Sequence, residues 1–128
     1  MAPSSRPEPR SAVRVERVYG EHYGPGHHVL VDRLWPRGVA KAGAPFEEWC
    51  KDAAPSADLR KWYGHDPDRF GEFARRYRAE LGRDPAREAV RHLVELAHDG
   101  SVVLLTATKD LEISGAKVLA ERLRRALR

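Results

Sequence analysis

The sequence predicts an α/β fold: a small sheet of about three strands with a parallel central pair, flanked by about five helices. Three observations carry that expectation. Val29-Leu30-Val31 and Val102-Val103-Leu104-Leu105 are short apolar runs, the pattern of strands covered on both faces. Between them lie segments whose apolar residues recur at helical spacing. A long helical connection imposes no reversal of direction. The two runs are therefore expected to be neighbouring, parallel, central strands joined by a right-handed crossover.

The elements follow in order. Met1 to Arg10 carry three prolines and two serines and no periodic apolar face. Residues 1–11 read as a disordered basic tail, and residues 12–128 as a single domain without internal repeats. Val13 to Tyr19 alternates well enough for a first strand. The link from Gly20 to His28 is short and contains Gly24-Pro25-Gly26. A short link favours an antiparallel pair, although an extended one can cross back. The second strand is expected over Val29 to Leu34.

Pro45 is placed to open a short helix through Cys50, with Phe46, Trp49 and Cys50 inward. Ser56 is the expected N-cap of a helix running to Tyr63. Asp66-Pro67 supplies both a capping side chain and a first-turn proline for a third. Its apolar face is Phe70, Phe73, Tyr77 and Leu81, opposite Glu72, Arg76 and Glu80 at i,i+4. Asp84-Pro85 repeats the start signal for a helix that buries Val90, Leu93, Val94 and Ala97 and stops before Gly100. After the strand Val102 to Leu105, a last helix is expected from Ser114 to Leu127, with Leu119, Ala120, Leu123 and Leu127 inward.

Composition bounds the function. A chain of 128 residues is one ordinary domain. One cysteine excludes an intrachain disulfide and a cysteine-based zinc site. With 41% apolar and 33% charged residues the chain has the makeup of a folded domain. No apolar run approaches the ~18 residues of a membrane span, and no signal-like leader is visible, so a cytoplasmic location is the default expectation. The net charge of +4 is too small to assert nucleic-acid binding.

In an open α/β sheet ligands gather at the carboxyl ends of parallel strands. Two segments are expected there: Asp32-Arg33-Leu34-Trp35-Pro36-Arg37-Gly38 with Lys41, and Thr106-Ala107-Thr108-Lys109-Asp110. They bring Arg33, Arg37, Lys41 and Lys109 to one rim, with Asp32 and Asp110 as its acids. Guanidinium groups beside an indole suit an anion, which Arg grips through paired hydrogen bonds. A plain type I turn with exposed arginines is the structural alternative, with Asp32 pairing internally.

The corner Trp62-Tyr63-Gly64-His65-Asp66-Pro67 is largely explained by geometry: a left-handed Gly64, a capping Asp66 and an opening Pro67. His65 is left over. It is the candidate acid or base, against the alternative of an imidazole bonded to a carbonyl. Ser114-Gly115 opens the last helix just past a strand-end loop, where free N–H groups receive a phosphate if ordinary capping does not account for the pair. His22, His27 and His28 share one loop but do not converge as metal ligands, and no metal or cofactor is expected. Cys50 reads as a small core residue. The sequence contains no Walker loop, Gly-x-Gly-x-x-Gly or Gly-x-Ser-x-Gly. Arg75, Arg76 and Arg78, and Arg122, Arg124, Arg125 and Arg128, form basic faces interleaved with Glu and without an aromatic platform, so solvated helix surfaces explain them better than a nucleic-acid groove.

The string Val31-Asp32-Arg33-Leu34-Trp35-Pro36-Arg37-Gly38 closely resembles the signature of the YeaO-like bacterial proteins, a domain family of unknown function (DUF488). Glu48-Trp49, the stretch from Ala54 to Pro67, the helix from Phe70 to Leu81 and the segment from Leu104 to Asp110 are similar to the family in the same order. The resemblance covers nearly everything from Ala12 to Leu127. It implies a small cytoplasmic α/β protein without an established activity. Longer relatives place a helix between the first two strands, which implies a parallel first strand with Gly20 to His28 in place of that helix. After the Lys-Asp pair, family members commonly carry an acidic pair and then a His-Asn-His-Ala-like stretch. Here the positions read Leu111-Glu112-Ile113-Ser114-Gly115-Ala116, and both histidines are absent.

The expected partner is a small anionic molecule, held by Asp32, Arg33, Trp35, Arg37, Lys41, Thr108, Lys109, Asp110 and Ser114, with His65 as the remaining catalytic candidate. The alternative is a non-enzymatic module that binds nucleic acid or protein through its basic helices. A concave rim of converging charge distinguishes the first from a convex basic stripe.

Overall fold

The computed structural model describes residues 12–20 and 23–128; the expected tail and His22 lie outside them. Among these residues a four-stranded, wholly parallel sheet is formed by β1 (Val13–Arg17), β2 (His27–Leu30), β3 (Glu48–Trp49) and β4 (Val102–Thr106). The strand order is β1-β4-β2-β3. Four helices accompany it: α1 (Ala57–Tyr63), α2 (Phe70–Leu81), α3 (Ala86–Asp99) and α4 (Gly115–Leu127).

The central pair is β4 and β2, parallel and adjacent, with Val29 opposite Leu104 and Leu30 opposite Leu105. β4 is buried at all its residues because it has a layer on each side. Val102 and Leu104 join the core made with all four helices, including Phe73, Leu93, Leu119 and Leu123. Val103 and Leu105 face the other way, against Val18, Tyr23 and Phe46. Loops rather than helices cover that second face.

β1 departs from the antiparallel pairing that its short link favours. It runs parallel to β4, with Val13 opposite Val102 and Arg17 opposite Thr106. β4 separates β1 from β2, so the link must return along the sheet. Among its described residues it forms no helix and is tied down by side chains. The Arg14 guanidinium donates to Tyr23 O at 2.8 Å and Pro25 O at 3.1 Å. The Tyr23 hydroxyl is within 2.6 Å of both Val18 O and Gly20 O. Gly26, at φ 126°, passes so close to Ser101 O that a Cβ would sit 2.7 Å from it.

The expected Pro45–Cys50 helix is instead an extended segment that contains β3. The free edge of β2 offers carbonyls: Glu47 N donates to His28 O at 3.0 Å and Cys50 N to Leu30 O at 2.8 Å. The aromatics there pack on Trp35, with ring centroids 5.1 Å away for Phe46 and 5.5 Å for Trp49. β2 also starts earlier and ends earlier than its apolar run, so Asp32 onwards leaves the sheet. β1 likewise stops at Arg17, short of Tyr19.

Ser56 caps α1, its Oγ accepting from Leu59 N at 3.2 Å, and is itself held by Glu80 of α2. Gly64 ends α1 in the left-handed region at φ 55°, and His65 follows at φ 57°. Asp66 accepts from Asp68 N at 3.0 Å and caps a 3-10 turn, Pro67–Arg69, that runs into α2. Asp84 does not cap α3; its carboxylate pairs with Arg87 at 3.2 Å.

Candidate functional site

β2 and β4 end side by side, and the chain leaving each lines one open cavity of about 690 Å³. Asp32 to Arg37 form one wall and Ala107 to Asp110 another. Arg60, Tyr63 and His65 approach from α1 and its corner, and Phe73, Ile113, Gly115 and Ala116 close the back. Gly115 leaves room there: a Cβ on it would lie 3.4 to 3.6 Å from Pro55, Tyr77 and Phe73.

Of the residues expected at the site, Asp32, Arg33, Trp35, Arg37, His65, Thr108, Lys109 and Asp110 line this cavity. Lys41 does not; it is exposed on the loop beyond Gly38. Ser114 does not either. It is buried, donating to Leu111 O at 2.7 Å and accepting from Lys117 N at 3.1 Å, so its hydroxyl is consumed in capping α4. Its neighbours Gly115 and Ala116 face the cavity instead.

Asp32 sits where the two central strands diverge. One carboxylate oxygen accepts from the Thr106 hydroxyl at 2.7 Å and the other from Ala107 N at 2.8 Å. Burial pushes its pKa up, against those two hydrogen bonds and the charge of His65. Arg33 is pinned by backbone carbonyls, with Nε 2.9 Å from Pro55 O and Nη2 3.3 Å from Ala54 O. The Trp35 indole donates to Val39 O at 2.6 Å, which fixes its ring as a wall. Asp110 accepts from Glu112 N at 3.0 Å.

Within the protein the Asp32 carboxylate pairs with Thr106 and Ala107 and not with Arg33 or Arg37. Among the described residues neither Asp32 nor Asp110 forms an ion pair with a basic residue, and Arg37, Arg60 and Lys109 have no carboxylate partner within 4.0 Å. The convex helices are different. Glu72 holds Arg75 and Arg76, and Glu88 and Glu95 hold Arg91. Arg124 donates to Val13 O at 2.7 Å.

Three polar lining residues escaped the sequence reading. Arg60 is one of several charges on a short helix, with nothing in its spacing to mark it. Tyr63 read as part of a corner; it is buried, stacks on Phe73 at 4.1 Å between centroids and donates to Ile113 O. Tyr19 closes the mouth, its hydroxyl 2.9 Å from Arg37 O. Away from the cavity, His27 and His28 turn to different partners, Glu48 at 2.9 Å and Glu47 at 3.1 Å. The Cys50 thiol is pushed up to about 11 by burial and the nearby Glu48 charge, so it stays a protonated, half-buried side chain.

Comparison with known proteins returns one family and several relatives. The family described as the inactive DUF488-N3 subclade matches residues 12–128. The chain is 49% identical over 113 residues to the uncharacterized protein Rv3073c of Mycobacterium tuberculosis, spanning 87% of this chain and 92% of that protein. The uncharacterized protein Mb3100c of Mycobacterium bovis matches to the same extent. The uncharacterized protein YeaO of Escherichia coli is 34% identical over 113 residues, spanning 88% and 96% of the two chains. No solved structure matches.

Proposed function

The chain belongs to the inactive DUF488-N3 subclade, and on that premise we propose that it is a non-catalytic receptor for a small anionic molecule, bound at the carboxyl ends of β2 and β4. The observation that carries this reading is the convergence of Arg37, Arg60 and Lys109, without carboxylate partners among the described residues, on one concave cavity. Like charges that share one cavity repel, an anion relieves that repulsion, and a partly enclosed wall strengthens the attraction relative to open water. Trp35 and the Tyr63–Phe73 stack supply apolar walls for the body of the ligand.

The back of the cavity supports binding over catalysis. Ile113, Gly115 and Ala116 lie in the segment where the resemblance places histidines, and none of the three has a side chain able to move a proton. His65 then adds a hydrogen-bond donor at the mouth rather than serving as an acid or base. The basic face of α2 is a poorer basis for partner binding, since Arg75 and Arg76 are already paired with Glu72, and on α4 Arg124 is spent on the Val13 carbonyl.

Thermal stabilisation by inorganic phosphate, sulfate and citrate tests the reading, because a ligand that binds only the folded state raises its melting temperature with concentration. Arg37→Ala should remove the shift without unfolding the protein. Arg125→Ala, exposed towards the far end of α4, should keep it. Equal loss from both means diffuse screening and sinks the proposal, as does the absence of any shift.

A further inference from the structure

A pocket for bare anions has no use for a carboxylate in its wall, yet Asp32 lines this one. Its position is enforced by Thr106 and Ala107 rather than by a basic side chain. An ionised carboxylate has about four acceptor sites, and these two bonds occupy one on each oxygen. The remaining lone pairs belong to a group that borders the cavity. A buried charge without a cationic partner is costly, and it repels an approaching anion. A cavity of about 690 Å³ is also far larger than a single phosphate or sulfate requires. Cations at the mouth and a carboxylate within the wall thus ask for opposite chemistry from one occupant.

Resting on the receptor reading above, we infer that the ligand is an organic anion that also carries a hydrogen-bond donor, an ammonium or hydroxyl group, which docks on Asp32 while the anionic end meets Arg37 and Lys109. Asp32 is then a specificity residue: it penalises the simple anion and rewards the donor-bearing one.

Matched phosphomonoesters test this. Alkyl phosphates ending in methyl, hydroxyl or ammonium are compared by calorimetry over a short series of linker lengths. At the best length the ammonium and hydroxyl forms should bind about tenfold more tightly than the methyl form, the ratio a single charge-assisted hydrogen bond supplies. Asp32→Asn should erase the ammonium advantage and tighten the methyl form, since repulsion is gone; Glu121→Gln, exposed on α4 and outside the cavity wall, should leave the advantage in place. Equal affinities for all three end groups at every length, or an ammonium advantage that survives Asp32→Asn, overturn the inference while leaving the receptor reading intact. If Asp32→Asn does not fold, the wild-type series decides alone, and no preference at any length overturns it. No binding of any of these phosphates, inorganic phosphate included, defeats the receptor reading and this inference together.

Discussion

The Thr106 hydroxyl donates to Asp32 at 2.7 Å, so the last residue of β4 holds the carboxylate that follows β2. The same Oγ accepts from Thr108 N at 3.2 Å. One buried hydroxyl therefore sets the spacing of the two strand ends and the path of the loop that carries Lys109. Thr106→Val keeps the shape and removes both bonds. It should cost about 1–3 kcal/mol, the usual penalty for stranding a buried polar partner, read as a lower urea midpoint with unchanged slope.

Gly64 tests the corner that carries His65. Its φ of 55° suits glycine, and a Cβ would have only Lys61 O nearby, at an ordinary 3.8 Å. The cost of a side chain is thus conformational rather than steric. Gly64→Ala should lose about 1–2 kcal/mol. Gly64→Val should lose more, because a β-branched residue resists the left-handed region. Equal stability of wild type and both variants in denaturant melts contradicts this account.

The acid limb of stability is expected to depend on Glu48. Burial raises its pKa, but hydrogen bonds from His27 at 2.9 Å and His92 at 2.6 Å, with their charges, outweigh burial and leave it below the ordinary value. A carboxyl lowered on folding contributes stability that is present above its unfolded pKa of about 4.3 and lost as pH falls through the folded value. Glu48→Gln should therefore flatten the fall in melting temperature below about pH 5. Asp32 works with the opposite sign. Its raised pKa is a cost absent below about pH 4 and incurred as pH rises through the folded value, so protonating it opposes the acid loss.

The parts that could be read from sequence are those with a repeating physical signature. The stripe Phe73, Tyr77, Leu81 of α2 is buried as its spacing requires, and the two apolar runs are adjacent parallel strands. β3 was illegible because two residues have no period; they are extended only because the edge of β2 offers them carbonyls. At the site, Asp32, Arg37 and Lys109 were legible because strand ends of a parallel pair must meet. Arg60 was not, since its place depends on how α1 is set over the sheet, and that setting follows from the clasp of Ser56 by Glu80, which are 24 residues apart. Lys41 was included by sequence proximity alone, and the loop after Gly38 takes it out of the cavity wall.

The position of β1 has a consequence for biosynthesis. Among the described strands β1 lies at the edge, with β4 as its neighbour in the sheet. Val13 cannot find its register until Val102 has been translated. β1, made before β2 and β3, must thus wait for β4, while β2 and β3 can already pair with each other. Docking of β1 follows the synthesis of β4, and Arg124 of α4 then fastens it by the Val13 carbonyl.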